Sequence, residues 1–171
     1  MIAEAQQTSN PIRLIVLSRE IRSELDAAIA DNPDDVEVRL DLVRWFVMTP
    51  VIGGGDLSAA RAQAAEIGKR DVAMGHFARG YIAYRQKEYG AGRVELREAM
   101  RTAKSAATRD LAAKWLGWLS QESQQWDDAF AIFEALRAND RSALYEIWRT
   151  SQFCRCRRAE GEAALREYKN R

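Results

Sequence analysis

The chain has 171 residues and a mass of 19.4 kDa, with 47% hydrophobic and 30% charged residues, a composition that supports a folded core and excludes a disordered polyelectrolyte. Its 26 Lys and Arg balance 25 Asp and Glu to a formal charge of +1, so no global field selects nucleic acid or an anionic membrane. With only 3 Pro in a sequence dominated by Ala, Arg, Glu and Leu, and no apolar run near the ~20 residues of a membrane span, helix is expected nearly throughout.

Residues 1–10, MIAEAQQTSN, lack the basic start and apolar centre of an export signal. They are expected to be extended or disordered and the protein cytoplasmic, with a periplasmic or secreted location as the alternative if an export signal has been removed. Asn10-Pro11 then reads as a helix start, Asn capping and Pro at the first helical position. Leu14, Leu17, Ile21, Leu25 and Ala28 form its apolar stripe, which ends at Asn32-Pro33. Asp34-Asp35 place negative charge at the next helix start, and Val38, Leu42, Trp45 and Phe46 give the buried face until Thr49-Pro50. The segment PVIGGG, residues 50–55, cannot continue a helix, and Asp56 is placed to cap the next, whose stripe is Ala60, Ala64 and Ile67.

Val72 to Gln86 is the following helix, carrying Phe77, Gly80, Tyr81 and Tyr84; after a turn at Glu88 to Gly90 comes one with Gly92, Leu96 and Ala99. Leu111 to Asp140 reads as a hairpin hinged at Ser123 to Trp126, with Leu116-Gly117 in its first helix and Ala129, Phe133 and Leu136 along its second. Gly117 costs about 1 kcal/mol of helix propensity against Ala. That cost is offset if Ala129 lies opposite, so that two backbones cross with almost no side chain between them while Phe133 and Leu136 fill the space beyond. Ser142 is placed to cap a helix with Leu144, Ile147 and Trp148, and a last helix runs from about Arg158 to Tyr168. This makes about nine helices, and no strand pattern competes.

The hairpin recurs. Gly80 to Gly92 has the spacing of Gly117 to Ala129, Leu96 and Ala99 stand where Phe133 and Leu136 stand later, and the two units are 37 residues apart. That offset lies near the roughly 34 residues of a helix-turn-helix repeat. Asp56-Leu57 with Ala60, Ala64 and Ile67 supplies a third second-helix in the same phase. On these residues the chain resembles the tetratricopeptide repeat family, well over residues 72–140 and loosely over 11–171. The resemblance implies an all-α, right-handed α-solenoid of TPR-like helix-turn-helix repeats forming a single domain over residues 11–171, with a degenerate last pair acting as a cap.

It also implies a concave groove lined by the first helix of each pair. The inward positions are then Tyr81, Tyr84 and Arg85 in one unit, Lys114, Trp118 and Gln121 in the next, and Tyr145, Trp148 and Gln152 in the last. Rigid rings and cations suit a recognition surface, and Arg44, Arg85 and Lys114 favour an acidic ligand. The family's carboxylate clamp uses asparagines on inner helices, whereas Asn10, Asn32, Asn139 and Asn170 fall at ends or turns, which argues against a chaperone carboxyl-terminal tail as ligand.

Residues with chemistry of their own are sparse. Gly53-Gly54-Gly55-Asp56 lacks the Lys-Ser or Lys-Thr and the preceding strand of a phosphate loop and reads as a connector. His76 is the only histidine, so no triad or His-based zinc site assembles. Cys154 and Cys156, two apart, would point to different faces of a helix, which argues against a disulfide, and their spacing is wrong for CxxC chemistry. Asp34-Asp35 and Asp127-Asp128 suit helix starts better than catalysis. Arg149, Arg155, Arg157 and Arg158 read as a solvated basic end rather than a nucleic-acid site. The expectation is a non-enzymatic interaction module or scaffold without cofactor or metal, binding a peptide or helical segment of a protein partner in its groove. The second reading is a structural subunit that homo-oligomerises through end helices such as Leu14 to Ala28.

Overall fold

A computed structural model describes residues 11–170. The helices are α1 (Pro11–Asp31), α2 (Val36–Met48), α3 (Leu57–Arg70), α4 (Val72–Arg85), α5 (Tyr89–Thr102), α6 (Ala106–Glu122), α7 (Trp126–Leu136), α8 (Ser142–Cys154) and α9 (Arg158–Asn170), with one 3-10 turn at Val51–Gly53. Among the described residues these nine α-helices are joined by short connections and no strand is present. The segment 1–10, and with it the Asn10 cap, lies outside the described residues.

Side-chain caps set four of the helix starts. Asp35 accepts from the Val38 amide at 3.0 Å, and Asp56 accepts from Ser58 at 2.8 Å and Ala59 at 3.1 Å. Asp71 serves two helices at once: its amide closes α3 on the Ile67 carbonyl, and its carboxylate accepts from Met74 of α4. Ser105 caps α6 by accepting from Thr108, so the first helix of the central hairpin begins at Ala106, before its apolar stripe. Ser142 is not a cap; it is the first residue of α8, and Asp140 accepts from its amide at 2.8 Å. In the glycine connector, Gly54 takes a left-handed φ of 103°, and a Cβ on Gly55 would run into the Thr49 carbonyl, so local geometry accounts for both glycines.

The repeat is visible in the backbone. At the α4–α5 turn Lys87 takes φ 60°, its amide donates to Tyr84 and the Glu88 amide to Ala83; at the α6–α7 turn Gln124 takes φ 58° and the same bonds run from Gln124 to Gln121 and from Gln125 to Ser120. Inside the hairpins a large side chain fills the space a glycine leaves. A Cβ on Gly80 would stand 2.7 Å from Leu96 Cγ, and one on Gly117 would stand 2.5 Å from Phe133 Cζ. Thus Phe133, not Ala129, occupies the space at Gly117, correcting the expected bare crossing at that point. A crossing with almost nothing between backbones does occur elsewhere: a Cβ on Gly75 of α4 would collide with the Gly68 backbone of α3.

The hairpins are α2/α3, α4/α5, α6/α7 and α8/α9, each packed on the next. First helices touch first helices, α2 on α4, α4 on α6 and α6 on α8, while the second helices are splayed. The splay opens a cleft of about 470 Å³ between α5 and α7, over Leu116 and Ser120 of α6. A stack closer along one edge than the other bends toward the closer edge, so the first helices line the inner face of an all-α solenoid. One core runs from α2 to α6 around Leu40, Phe46, Ile67, Phe77, Leu96 and Leu119, and a second joins α6 to α9 around Phe130, Phe133, Leu144 and Ile147. Among the described residues α1 has no hairpin partner; it rests on α2 and the 3-10 turn through Leu17, a bond from Trp45 Nε1 to the Ser18 carbonyl at 3.1 Å, and Arg22 stacked 4.4 Å from the Phe46 ring centre.

Gly117→Ala is expected to lower stability by about 1–3 kcal/mol, because overpacking against the fully buried Phe133 ring outweighs the better helix propensity of Ala. Gly90→Ala, where no atom lies within 4 Å, should gain about 0.5 kcal/mol. Urea unfolding of both variants checks the opposite signs.

Candidate interaction groove

The inner face is built around a ring that the sequence did not single out. Trp115 of α6 meets Phe77, Tyr81 and Tyr84 of α4 and its own helix neighbour Trp118, all edge-on, at centroid distances of 6.0, 5.0, 5.5 and 5.0 Å. Its signal was available in the spacing: Trp115 and Trp118 are three apart and share one helix face. Tyr81 is buried and Tyr84 half-buried, so the cluster is core on one side and surface on the other.

Charge surrounds these rings. Burial pushes the Tyr81 phenol above its ordinary range while Arg85 and Arg44 pull it down; burial likewise raises Tyr84, Glu122 adds to the rise, and Arg85 and Arg149 oppose it. Arg44, Arg85, Glu122 and Arg149 are therefore close enough to act on the tyrosines. Arg44 pairs with Asp41 at 2.8 Å, whereas Arg85 is exposed and has no acidic partner among the described residues. Lys114 is engaged by Asp140 at 2.7 Å and lies 5.7 Å from the Trp118 ring centre. For Asp140, burial raises the carboxyl, but Lys114 and Ser142 outweigh it and hold the acid below its ordinary value.

Between α6 and α8 lies a buried polar network. Gln121, 4% exposed, donates to Thr150 Oγ1 at 2.7 Å and accepts from Arg149 at 2.7 Å, and Arg149 pairs with the buried Glu146 at 2.9 Å. Gln121 thus ties the two helices together instead of presenting its amide to the groove. Arg149 then reaches the exposed Phe153, 5.7 Å from its ring centre. Two donors in this region, Trp118 Nε1 and Arg149 Nε, are shielded and have no acceptor among the described residues.

Through Trp115 the structure therefore brings Tyr81, Tyr84, Lys114 and Trp118 together across α4 and α6, with Arg44 and Arg85 bordering them; Gln121 belongs to the interface with α8, where Arg149 and Phe153 lie. Tyr145 and Trp148 form a separate ring group, with Tyr145 5.2 Å from Trp148 and 5.9 Å from Tyr168 of α9. Gln152 is exposed and donates to Ser151.

The remaining sequence candidates resolve as scaffold. His76 Nδ1 lies 2.7 Å from Glu95, which Arg79 also holds at 3.0 Å, joining α4 to α5. Asp34 pairs with Arg70 at the open end of the α2/α3 hairpin, while Asp128 pairs with Arg93 and Asp127 with Arg157 across hairpins. Arg149 and Arg157 are thus structural rather than a freely solvated basic end. Cys154 and Cys156 form a disulfide, against the expectation from helical spacing. The reason is that α8 ends at Cys154: Arg155 takes a left-handed φ of 55°, which folds Cys156 back to a Cα–Cα distance of 5.2 Å. Among the described residues no group of three or more His, Cys, Asp or Glu could hold a metal ion, and no helix is long and apolar enough to cross a membrane.

Trp115→Ala should cost about 3–5 kcal/mol, since four rings lose their common partner, whereas Phe153→Ala should stay within about 0.5 kcal/mol. Guanidinium unfolding of the two variants separates the packed half of the face from its exposed half.

No protein-family model matches the sequence, and neither does any curated protein. The fold does have solved counterparts. A crystal structure of MamA superposes with a TM-score of 0.59 at 17% identity over 88% of this chain and 85% of that one. A second MamA crystal structure gives 0.57 at 17% identity over 86% and 78%. The arrangement of consecutive helical hairpins is therefore one that MamA also adopts, and the chain is a helical-repeat solenoid of that kind.

Proposed function

We propose that the chain is a TPR-like, non-enzymatic interaction module that holds an extended or helical segment of a protein partner along its inner face. The observation that carries this reading is the half-buried ring row of Tyr84, Trp115 and Trp118, continued by exposed Phe153 and bordered by Arg85, which forms no ion pair among the described residues. Rings already fixed by packing lose little freedom when a ligand covers them, and an unpaired guanidinium selects a carboxylate. The ligand that fits is an apolar segment flanked by Asp or Glu. The fold shared with MamA supports the scaffold reading at the level of architecture.

Selection from a displayed random-peptide library is expected to enrich sequences combining Leu, Phe or Trp with Asp or Glu. Arg85→Glu combined with Phe153→Ala, both at exposed positions, should weaken the selected peptides at least tenfold by fluorescence polarisation while leaving the circular dichroism unchanged. Equal binding by the double variant, or enrichment of basic peptides, would contradict the proposal.

The other end of the stack favours a second reading, self-association. Leu14 and Val16 of α1 lie exposed, as do Met48, Val51 and Ile52, the last two at 86% and 80%. Such a patch is costly in water and suits burial against another copy. Light scattering should then show a concentration-dependent oligomer that Ile52→Glu dissociates; a monomer at every concentration would remove this reading.

A further inference from the structure

The disulfide is too short-range to be a staple. Cross-links stabilise by closing long loops of the unfolded chain, and this one encloses a single residue, Arg155. It also sits in a connector of unusual backbone: Arg155 and Arg157, on either side of Cys156, both take left-handed φ angles, 55° and 46°. Such conformations in residues with long side chains persist only where surrounding structure imposes them. Here two constraints do so, the disulfide itself and the anchoring of Arg157 to α7, through a 2.6 Å pair with Asp127 and a stack 4.7 Å from the Phe130 ring centre.

The two sulfurs are not equivalent. The Cys156 amide donates to Cys154 Sγ at 3.2 Å, a bond that stabilises negative charge on that sulfur. Arg155, exposed in the same connector, adds positive charge. Both cysteines are half-buried, so an incoming thiolate can reach them.

We infer that Cys154–Cys156 is a thiol–disulfide exchange site that accepts two electrons from a dithiol, with Cys156 Sγ as the sulfur attacked and Cys154 as the leaving group. A thiolate of the dithiol attacks Cys156 Sγ; the bond between the two cysteines breaks and its electron pair leaves on Cys154 Sγ. The second thiolate of the dithiol then attacks its own mixed-disulfide sulfur, forming the dithiol's disulfide and releasing Cys156 as thiolate. The two protons lost by the dithiol balance those that the two cysteines take up, and the chain ends reduced by two electrons.

Maleimide labelling of the full chain followed by intact mass measurement gives the first test. The aerobically purified protein, denatured, should take no adduct, and two after dithiothreitol; two adducts without reductant would overturn the inference. Pulsed iodoacetamide labelling of the reduced, folded protein across pH, with peptide mapping, should modify Cys154 before Cys156, with a midpoint below the roughly 8.5 of a free thiol. Equal rates with a midpoint at or above that value would overturn it. Oxidised glutathione should return the reduced protein to the adduct-free disulfide, while Cys154→Ser retains one glutathione on Cys156; a wild-type chain that stays glutathionylated would also contradict the assignment.

Discussion

The fold depends on a steric complement repeated in two successive hairpins: a glycine on the first helix faces a large apolar side chain sixteen residues on, Gly80 against Leu96 and Gly117 against Phe133. The glycine contributes absence. With no Cβ on Gly117, the Phe133 ring lies flush against α6 with zero exposure, and the two helices are held at one separation. The turns that feed these contacts share their left-handed residue, Lys87 and Gln124, and their hydrogen bonds. Two copies of one local solution, joined by short connections, therefore stack in the same orientation. Gly92 transmits the fit to the next unit, since a Cβ there would stand 2.7 Å from Leu119 of α6.

From that stacking comes the inner face. Because first helices touch first helices, side chains on their outward stripe become neighbours across units, and Trp115 reaches three rings of α4. One cluster thus grades from core to surface: Phe77 and Tyr81 are buried, Trp115 and Tyr84 are half-buried, and Arg85 and Phe153 are exposed. The Gln121, Glu146, Arg149 and Thr150 network fixes α8 against α6 by a different device, hydrogen bonds in place of interlocked rings, and it positions Arg149 beside Phe153.

Much of the architecture was legible because helical periodicity and Asp, Pro and Gly punctuation act locally. The stripes at Ala60, Ala64 and Ile67 and at Ala129, Phe133 and Leu136 are buried as their spacing requires, Asp56 caps as its position requires, and Asp35 stands at the helix start where its charge was expected. What escaped depended on where helices end and on which neighbour arrives. The disulfide was hidden because a helical reading of Cys154 and Cys156 separates them, and only the left-handed turn at Arg155 brings them together. The Gly68–Gly75 contact follows from the one-residue link at Asp71, outside the 37-residue pattern. In the last hairpin the positional count placed Tyr145 and Trp148 inward, and there Tyr145 stacks between Trp148 and Tyr168 of the degenerate final helix. Gln121 looked like a groove residue by position, and its burial follows from partners on α8 that share no sequence signal with it.

The most direct test of this account is an NMR measurement of the Gly117–Phe133 contact in solution. The Gly117 Hα protons should show cross-relaxation to the Phe133 ring protons and marked upfield ring-current shifts, with Gly80 showing the corresponding contacts to the Leu96 methyls. Gly117 Hα resonances at ordinary positions, without cross-relaxation to Phe133, would mean that the hairpins close by some other contact, and the inner face built on them would not exist as described.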